Sequence, residues 1–275
     1  MRRWMNAVPG RGGRVLLGVL PFVLLLLIYL AASAARLADN PDDKLLPSLA
    51  QFGAAISRMA LEPNVRTGEL LLWADTAASL KRLAVAVTVS ALVALLVGLM
   101  NGLLPLARAA LSPLVTAVAL VPPMAILPVL FIVFGLGELS KGVLIGLGIT
   151  PFLIRDLQAR ALELPQEMLI KAQTLGAGTW LVGLRVMLPQ LLPRLLDAVR
   201  LSLGAAWLFL IAAEAIAAAE GLGYRIFLVR RYLSMDVILP YVVWIAVLAY
   251  AVDWALARLS RWLFPWYHAP AGGHS

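Results

Sequence analysis

Residues 76–104 read TAASLKRLAVAVTVSALVALLVGLMNGLL, and after Lys81 and Arg82 this run carries no charged side chain. At about 1.5 Å per residue, a helix of this length crosses a hydrocarbon core of about 30 Å. The two basic residues lie close to the start of the run, where we expect their long side chains to snorkel to the membrane surface. The run therefore predicts a membrane-spanning helix.

The composition of the whole chain points the same way. Of its 275 residues, 62% are hydrophobic and 14% charged, and the mean hydropathy is +0.90. Soluble domains are about 45–50% apolar and about 25% charged, so soluble and disordered classes are excluded. In so apolar a chain, a net charge of +8 is typical of basic residues that set the orientation in the membrane. We therefore expect no nucleic-acid partner.

The residue types in the chain do not favour a cofactor or metal site. The chain has no cysteine, which excludes disulfides, thiol nucleophiles and zinc–thiolate sites. Its two histidines, His268 and His274, lie too close to the C-terminus to build a buried metal cluster. We therefore expect no cofactor, no metal and no catalytic residue.

Six segments are long and apolar enough to span a bilayer, each of roughly 20 residues or more. They are Val15–Leu37, Thr76–Leu104, Leu111–Phe134, Leu139–Leu157, Leu195–Ala217 and Val237–Leu259. The sequence predicts an all-α integral membrane protein with six transmembrane helices. We divide it into an N-terminal part (1–75), a core (76–260) that includes a loop at 158–194, and a C-terminal tail (261–275).

Basic residues flank the spans on one side, which in membrane proteins is the cytoplasmic side. With six spans this side includes both termini and the loop at 158–194; its basic residues are Arg2, Arg3, Arg11, Arg14, Arg160, Lys171, Arg185, Arg194, Arg258 and Arg261. The mainly acidic segment Ala38–Asp75 lies on the outer side. Three arginines, Arg225, Arg230 and Arg231, fall on the outer side against the rule. They either mark the edge of a span or meet an anionic solute or an acidic partner surface.

The first span has an alternative interpretation. Basic residues, an apolar run and the small residues AASAA (31–35) also resemble a cleavable signal peptide. The apolar run is long for that role, so we expect a retained helix. Beyond it, Leu49–Leu61 predicts a short amphipathic helix bounded by Pro47 and Pro63.

The loop between spans four and five contains ELPQEMLIKAQTLGAGTW (163–180). Pro165 suits the first turn of a helix, and Gly176 suits its left-handed end. Thr179 is a candidate cap for a second helix that runs toward Leu188 and Pro189. Met168, Leu169, Ala172, Leu175 and Gly176 recur at helical spacing on one face. This pattern predicts a helical hairpin whose apolar face packs on its own bundle or docks into a groove of a partner.

The hairpin resembles the loop Glu-Ala-Ala-x3-Gly-x9-Ile-x-Leu-Pro of permease subunits of bacterial ABC importers. Ile170 and Lys171 replace the first two residues of that pattern, Val186 stands at its Ile, and Ala172, Gly176, Leu188 and Pro189 agree. The resemblance implies a five-helix permease core, a bacterial inner-membrane location, and docking of the loop into a cytoplasmic ATPase. The docking residues it indicates are Ala172, Leu175, Gly176, Ala177, Val186, Leu188 and Pro189.

Three further stretches are similar to the nitrate/sulfonate/taurine group of these permeases: VPPMAILP (121–128), FGLGELSK (134–141) and AEAIAAAEGLGYRI (213–226). Within this group, DKLLPS (43–48) and LFPWY (263–267) resemble permeases associated with urea or guanidine carboxylase systems. The resemblance implies import of a small polar solute by a homodimer of this permease. Its implied partners are two ATPase subunits and an extracytoplasmic substrate-binding protein.

Candidate residues of a translocation path lie in spans three and five. Pro122, Pro123 and Pro128 bend span three, either to line the path or only to improve packing. Glu214 lies near the outer end of span five, and an acid within a span is a functional candidate by default. Its partner is a cationic solute or an arginine of a second protomer, unless it is an interface residue close to water.

Other polar residues have structural interpretations. Asp197 lies three residues from both Arg194 and Arg200 and predicts an ion pair on one helix face. For Asp253 in span six, no partner can be named. Gly221 and Gly223 predict an outer turn, since no nucleotide-binding fingerprint surrounds them.

Two other functional classes compete with the importer. A secondary transporter needs charges deep in its spans and matching broken helices, and a membrane enzyme needs paired acids or a nucleophile with its base. Charges deep in the spans are nearly missing, and neither a repeated half nor the residues of a catalytic site are visible. The motif Gly-x4-Gly-Lys-Ser/Thr is also absent, so transport energy must come from a separate ATPase.

Overall fold

The computed structural model describes residues 10–40, 43–65 and 68–269, and these residues form helices without any strand. Predictions that involve Arg2, Arg3 and His274 lie outside the described residues. The helices in chain order are α1 (Arg11–Asp39), α2 (Leu49–Leu61), α3 (Leu71–Leu103), α4 (Pro105–Leu120), α5 (Pro123–Phe134), α6 (Glu138–Leu162), α7 (Gln166–Thr174), α8 (Thr179–Val182), α9 (Leu188–Ala217), α10 (Leu222–Arg230) and α11 (Met235–Leu263).

Within the described ranges, five helical stretches are each long and apolar enough to cross a membrane. They are α1, α3, α6, α11 and the stretch Thr179–Ala217, which contains α8 and α9. The pair α4 and α5 supplies a sixth crossing if it is counted as one bent span. The prediction of an all-α membrane protein is confirmed, with five or six candidate spans.

The third predicted span is not one helix. α4 and α5 meet at an angle of 97°. Val121 has extended backbone angles (φ −80°, ψ 123°), as expected for a residue before proline. Pro122 and Pro123 also lack the N–H groups that would continue the hydrogen bonds of α4. The single helix expected over Leu111–Phe134 is therefore wrong, although the proline bend within it is present.

The segment after α1 is tied to that helix by polar contacts. Tyr29 and Ser33 of α1 donate to the carbonyls of Pro47 at 2.6 Å and Leu46 at 2.9 Å. The N–H of Leu45 and the Arg36 side chain hydrogen-bond to the Asp43 carboxyl and lower its pKa. α2 then begins and ends where the sequence predicts, with a capping box in which Ser48 and Gln51 bond reciprocally.

The core of the bundle lies where α3, α6 and α9 pack together. α6 contributes fully buried side chains at helical spacing, among them Ile145, Ile149 and Leu153, and α9 contributes Leu210. In contrast, the long apolar side chains of α1 are mostly exposed, as expected for a helix that faces lipid. The bundle therefore has a packed core formed by the helices after α1, with α1 at its edge.

The hairpin between α6 and α9 differs from the sequence expectation in its second half. α8 begins at Thr179, and its cap position is held by Gly178 without a side-chain hydrogen bond, so Thr179 is not the cap. Residues Gly183–Met187 then form a π-helical turn that leads directly into α9. Pro189 lies in the first turn of α9, where its missing N–H leaves no bond unmade. The second arm is thus an extension of span five.

Candidate docking and translocation sites

The hairpin (residues 163–189) has two faces: an inner face that lies against the bundle and an outer face that points away from the bundle. These two names do not refer to the sides of the membrane. On the inner face, Leu169, Ala172, Ala177 and Val186 are half-buried against the core. The outer face carries large apolar side chains that the rest of the described chain leaves exposed: Met168, Ile170, Leu175, Trp180 and Leu181. Packing on the bundle therefore accounts for the inner face only. The outer face is an exposed apolar surface, and its role in docking stays a prediction.

The turn of the hairpin determines which residues point outward. Gly176 has φ +86°, a left-handed conformation that closes α7. Its N–H donates to the carbonyl of Gln173 at 2.9 Å, and that of Ala177 donates to the carbonyl of Ala172 at 3.0 Å. Leu175, directly before Gly176, is 88% exposed, and Trp180, four residues after it, is 73% exposed. The turn thus leaves two large apolar side chains uncovered by the rest of the described chain.

The seven predicted docking residues divide between the two faces. Leu175, Gly176 and Pro189 are exposed, whereas Ala172, Ala177, Val186 and Leu188 are half-buried. The loop pattern alone cannot separate residues that hold the hairpin on the bundle from residues that are free to meet a partner. Trp180 was not among the predicted residues, although its place after the glycine turn is a usable signal.

A largely buried polar cluster joins four helices near the starts of α3, α6 and α10 and the end of α9. Its members on α3 are Asp75, Ser79 and Arg82, spaced by four and three residues so that they share one helix face. The other members come from α6, α9 and the turn into α10: Glu138, Glu214, Glu220, Gly221, Gly223 and Arg225. The periodicity on α3 was the signal in the sequence that this cluster existed.

Arg82 and Glu214 form the centre of the polar cluster. Arg82 Nη1 donates to Glu214 Oε1 at 2.8 Å, and the Glu214 side chain is completely buried. The hydroxyl of Ser79 donates to Glu214 at 2.8 Å, and the N–H of Gly223 donates to it at 2.9 Å. Arg82 also contacts Glu138, at 2.5 Å from its Nε. Each buried charge has several partners, which offsets the cost of removing it from water.

A second ion pair lies beside the first. Arg225 Nε donates to Asp75 Oδ2 at 2.8 Å, and Asp75 is buried. The Asp75 carboxylate also accepts from the N–H of Gly221 at 2.9 Å and from the Tyr241 hydroxyl at 3.1 Å. On the neighbouring turn of α3, Thr76 accepts from Trp244 Nε1 at 2.9 Å. These contacts lock α3 to α10 and α11.

Several expectations change with this geometry. Arg82 does not snorkel, because its guanidinium is held inside the protein by acids, whereas Lys81 is exposed. Glu214 is not an interface residue close to water, and its partner is an arginine of the same chain. Arg225 is engaged by Asp75, while Arg230 and Arg231 remain exposed. A turn at Gly221 is present, whereas Gly223 already lies in the first turn of α10, and the side of the membrane on which they lie stays a prediction.

Gly221 is the position of the polar cluster that least tolerates a side chain. Its φ is +123°, and an added Cβ would lie 2.6 Å from the Glu214 carboxylate. We expect Gly221→Ala to lower the free energy of unfolding by about 2 kcal/mol or more, because strain adds to the displacement of Glu214. Thermal unfolding of the detergent-solubilised protein measures this effect. The control is Gly204→Ala on α9, whose Cβ would have no neighbour within 4 Å; equal midpoints would contradict the prediction.

Asp197 and Asp253 are the two acids whose partners the sequence did not settle. In the structure, one ion pair joins two helices and the other lies along a single helix. Arg200 of α9 donates from Nε to Asp253 Oδ1 of α11 at 2.9 Å. Its approach to Asp197 on its own helix is looser, at 3.8 Å, and Asp197 also accepts from the Tyr267 hydroxyl at 3.1 Å. Arg194 instead contacts Glu163 at 3.2 Å. The predicted pair on one helix face is thus present but secondary to a pair between helices.

The break between α4 and α5 opens onto a cavity of about 540 Å³, here named the break cavity. Val121 and Pro123 line it at the break, and α6 and α9 complete its wall. Pro122 is next to it in the chain, and Pro128 lies on α5 with an exposed side chain. Irregular backbone within a membrane protein is tolerated where it is buried or lines a cavity. The place of Pro122, Pro123, Pro128 and Glu214 in a translocation path stays a prediction.

Comparison with known proteins places this geometry in a family. A family model described as "binding-protein-dependent transport system inner membrane component" matches residues 86–265. The taurine transport system permease protein TauC of Escherichia coli is 38% identical over 196 residues, which cover 71% of each chain. The bicarbonate transport system permease protein CmpB of Synechococcus elongatus is 27% identical over 274 residues, 96% of this chain and 93% of that one.

A third relative and a solved structure extend the comparison. The putative aliphatic sulfonates transport permease protein SsuC of Bacillus subtilis is 30% identical over 202 residues, 70% of each chain. A chain of the MetNI methionine ABC transporter in an inward-facing conformation superposes with a TM-score of 0.56 at 23% identity. The superposition covers 69% of this chain and 96% of that one. At this identity the likeness concerns the fold.

Proposed function

The chain belongs to the family of binding-protein-dependent transport system inner membrane components, and from this we propose the solute and the partners that it serves. As the membrane-spanning permease subunit of an ABC importer, it carries a small solute with an oxyanion group. The relatives named above handle taurine, aliphatic sulfonates and bicarbonate, which all carry such a group.

The observation that carries the coupling part of the proposal is the outer face of the hairpin. Leu175 and Trp180 are exposed on either side of the turn at Gly176, at the end of the bundle where span five begins. An apolar surface presented by a short helix is the kind of surface that docks into a groove. Since the chain lacks the phosphate-binding motif of ATPases, a separate ATPase subunit docks here and supplies the energy.

The remaining partners follow from the same scheme. The centre of one bundle is filled by side chains of α6 and α9, so a path for solute requires a second bundle beside it. The complete importer consists of two copies of this chain, two ATPase subunits and an extracytoplasmic binding protein that delivers the solute. ATP-driven closure of the ATPases then biases the paired bundles between outward-open and inward-open states.

The first experiment tests partners and function together. The tagged protein, solubilised in detergent, is purified and its co-purifying chains are identified by mass spectrometry. We expect an ATPase subunit, and after reconstitution with the binding protein we expect ATP-dependent uptake of taurine or bicarbonate. A protein that purifies alone and transports without ATP would contradict the proposal. ATP-dependent uptake of urea or guanidine would contradict the part of it that assigns an oxyanion group to the solute.

Orientation is tested with single cysteines, for which the cysteine-free chain is already suited. We expect Leu175→Cys to react with a membrane-impermeant thiol reagent only in inside-out vesicles. Val65→Cys lies on the opposite side and is fully exposed, so it reacts in intact cells. The opposite pattern would reverse the predicted topology, in which both termini are cytoplasmic.

A further inference from the structure

The break cavity contains a charge that the rest of the described chain does not neutralise. Arg155 of α6 lines this cavity, and its exposed guanidinium makes no ion pair or hydrogen bond within residues 10–40, 43–65 and 68–269. Arg155 lies inside a candidate span, between its outer end at Glu138 and its inner end at Leu162. A charged side chain within a span is costly and marks a functional site by default.

Two other arginines within the spans each have acids as partners. Arg82 has Glu138 and Glu214 as partners, and Arg200 has Asp253. These pairs stabilise the contacts between helices. Arg155 stabilises no such contact, since its side chain points into a cavity bounded by the broken backbone at Val121.

The other walls of the break cavity restrict the ligand. Asp156 lines it and pairs only loosely with Arg160, at 3.7 Å. The aromatic ring of Phe209, packed on Gly148, supplies an apolar wall. A simple anion bound to Arg155 would be repelled by Asp156, whereas a molecule with both a negative and a positive group satisfies both. The volume of about 540 Å³ suits a small molecule.

We propose that the break cavity is a transit site for a small zwitterion, whose oxyanion group binds Arg155 and whose ammonium group faces Asp156. The planar guanidinium donates two parallel hydrogen bonds to a sulfonate or carboxylate, and a short carbon chain packs on Phe209. This inference rests on the proposed importer function and narrows its substrate from oxyanions in general to aminosulfonates and similar zwitterions.

The test is uptake of taurine by the complete complex in proteoliposomes, with its ATPase and binding protein. We expect Arg155→Gln to reduce uptake at least about tenfold at low taurine concentration, the effect of losing one charge-assisted contact. Arg155→Lys retains the charge without the paired geometry and is expected to retain intermediate uptake. Asp156→Asn is expected to weaken taurine uptake while improving that of ethanesulfonate, which lacks the ammonium group.

The control is Arg258→Gln, an exposed arginine near the inner end of α11. We expect it to leave uptake unchanged, and we expect the Arg155 variants to retain the unfolding midpoint of the native complex. Taurine uptake by Arg155→Gln equal to that of the control overturns the proposal. So does a native complex that carries bicarbonate, urea or guanidine but not taurine. A complex that transports none of these probes overturns the proposed function itself.

Discussion

Leu175→Glu is expected to abolish ATP-dependent uptake and to leave the protein folded in the membrane. The Leu175 side chain is 88% exposed, so its replacement removes almost no contact within the chain. Docking on an ATPase would instead bury it, and an unpaired carboxylate in an apolar groove costs several kcal/mol. We expect the ATPase subunit to be lost on purification and uptake to fall to the background rate.

The matching control places the same charge outside the proposed docking surface. Val65 is fully exposed on the opposite side of the bundle, and we expect Val65→Glu to retain both the ATPase and uptake. Leu175→Glu that retains the ATPase and transports at the native rate would refute docking at the outer face.

Gly176→Arg approaches the same question through a residue of the turn, and we expect it also to insert but to be uncoupled. An added Cβ at Gly176 has no neighbour within 4 Å, so space within the chain is not limiting. Because φ is +86°, however, every side chain here carries about 1–2 kcal/mol of backbone strain. Gly176→Ala is the control, because it adds the same backbone strain without the long charged side chain of arginine. If it uncouples as completely as Gly176→Arg, the turn geometry and not the docking groove is responsible.

Arg82→Met is expected to have the largest effect on stability. It leaves the carboxylate of Glu214 fully buried without its cation, and removing one member of a buried pair costs about 3–5 kcal/mol. We expect a large fall in the midpoint of thermal unfolding in detergent. Lys81→Met, at the exposed neighbouring position, is the control and is expected to leave the midpoint unchanged.

The double variant Arg82→Met with Glu214→Gln separates loss of the pair from loss of packing. It removes both central charges and so leaves no buried carboxylate without a cation at position 214, while Glu138 retains Lys141 as a partner at 2.7 Å. We therefore expect the double variant to be more stable than Arg82→Met alone. If the fall in unfolding midpoint of the double variant equals the sum of the falls of the two single variants, Arg82 and Glu214 do not stabilise each other. Glu214→Gln alone also tests the predicted role in translocation: unchanged uptake and preference would leave Glu214 a structural role only.

The sequence predicted those features that depend on residues close together in the chain. The spans follow from the length of the apolar runs, and α2 was found with its bounds because Ser48 and Gln51 cap it locally. The left-handed turn at Gly176 and the outer turn at Gly221 follow from glycine at positions of positive φ. The errors are local too: the two prolines at 122 and 123 bend the third span so sharply that it becomes two helices.

The polar contacts that hold the helices together could not be predicted in the same way. Arg82 lies 132 residues from Glu214, Arg225 lies 150 from Asp75, and Arg200 lies 53 from Asp253. No pattern within a single helix selects one distant acid among several. The spacing of Asp75, Ser79 and Arg82 places them on one face of α3, but it does not identify what that face meets.

The amino-acid sequence by itself thus determined that this is a helical membrane protein with several apolar runs of spanning length and a hairpin that turns at a glycine, since hydrophobic length, helical period and turn chemistry are properties of neighbouring residues. Only the tertiary structure decided which charges are neutralised and which are not. Arg82 is enclosed by acids from other helices, while Arg155, in another candidate span, is left facing a cavity. That difference arises from how the helices pack around each charge, and packing brings together residues that the sequence holds far apart.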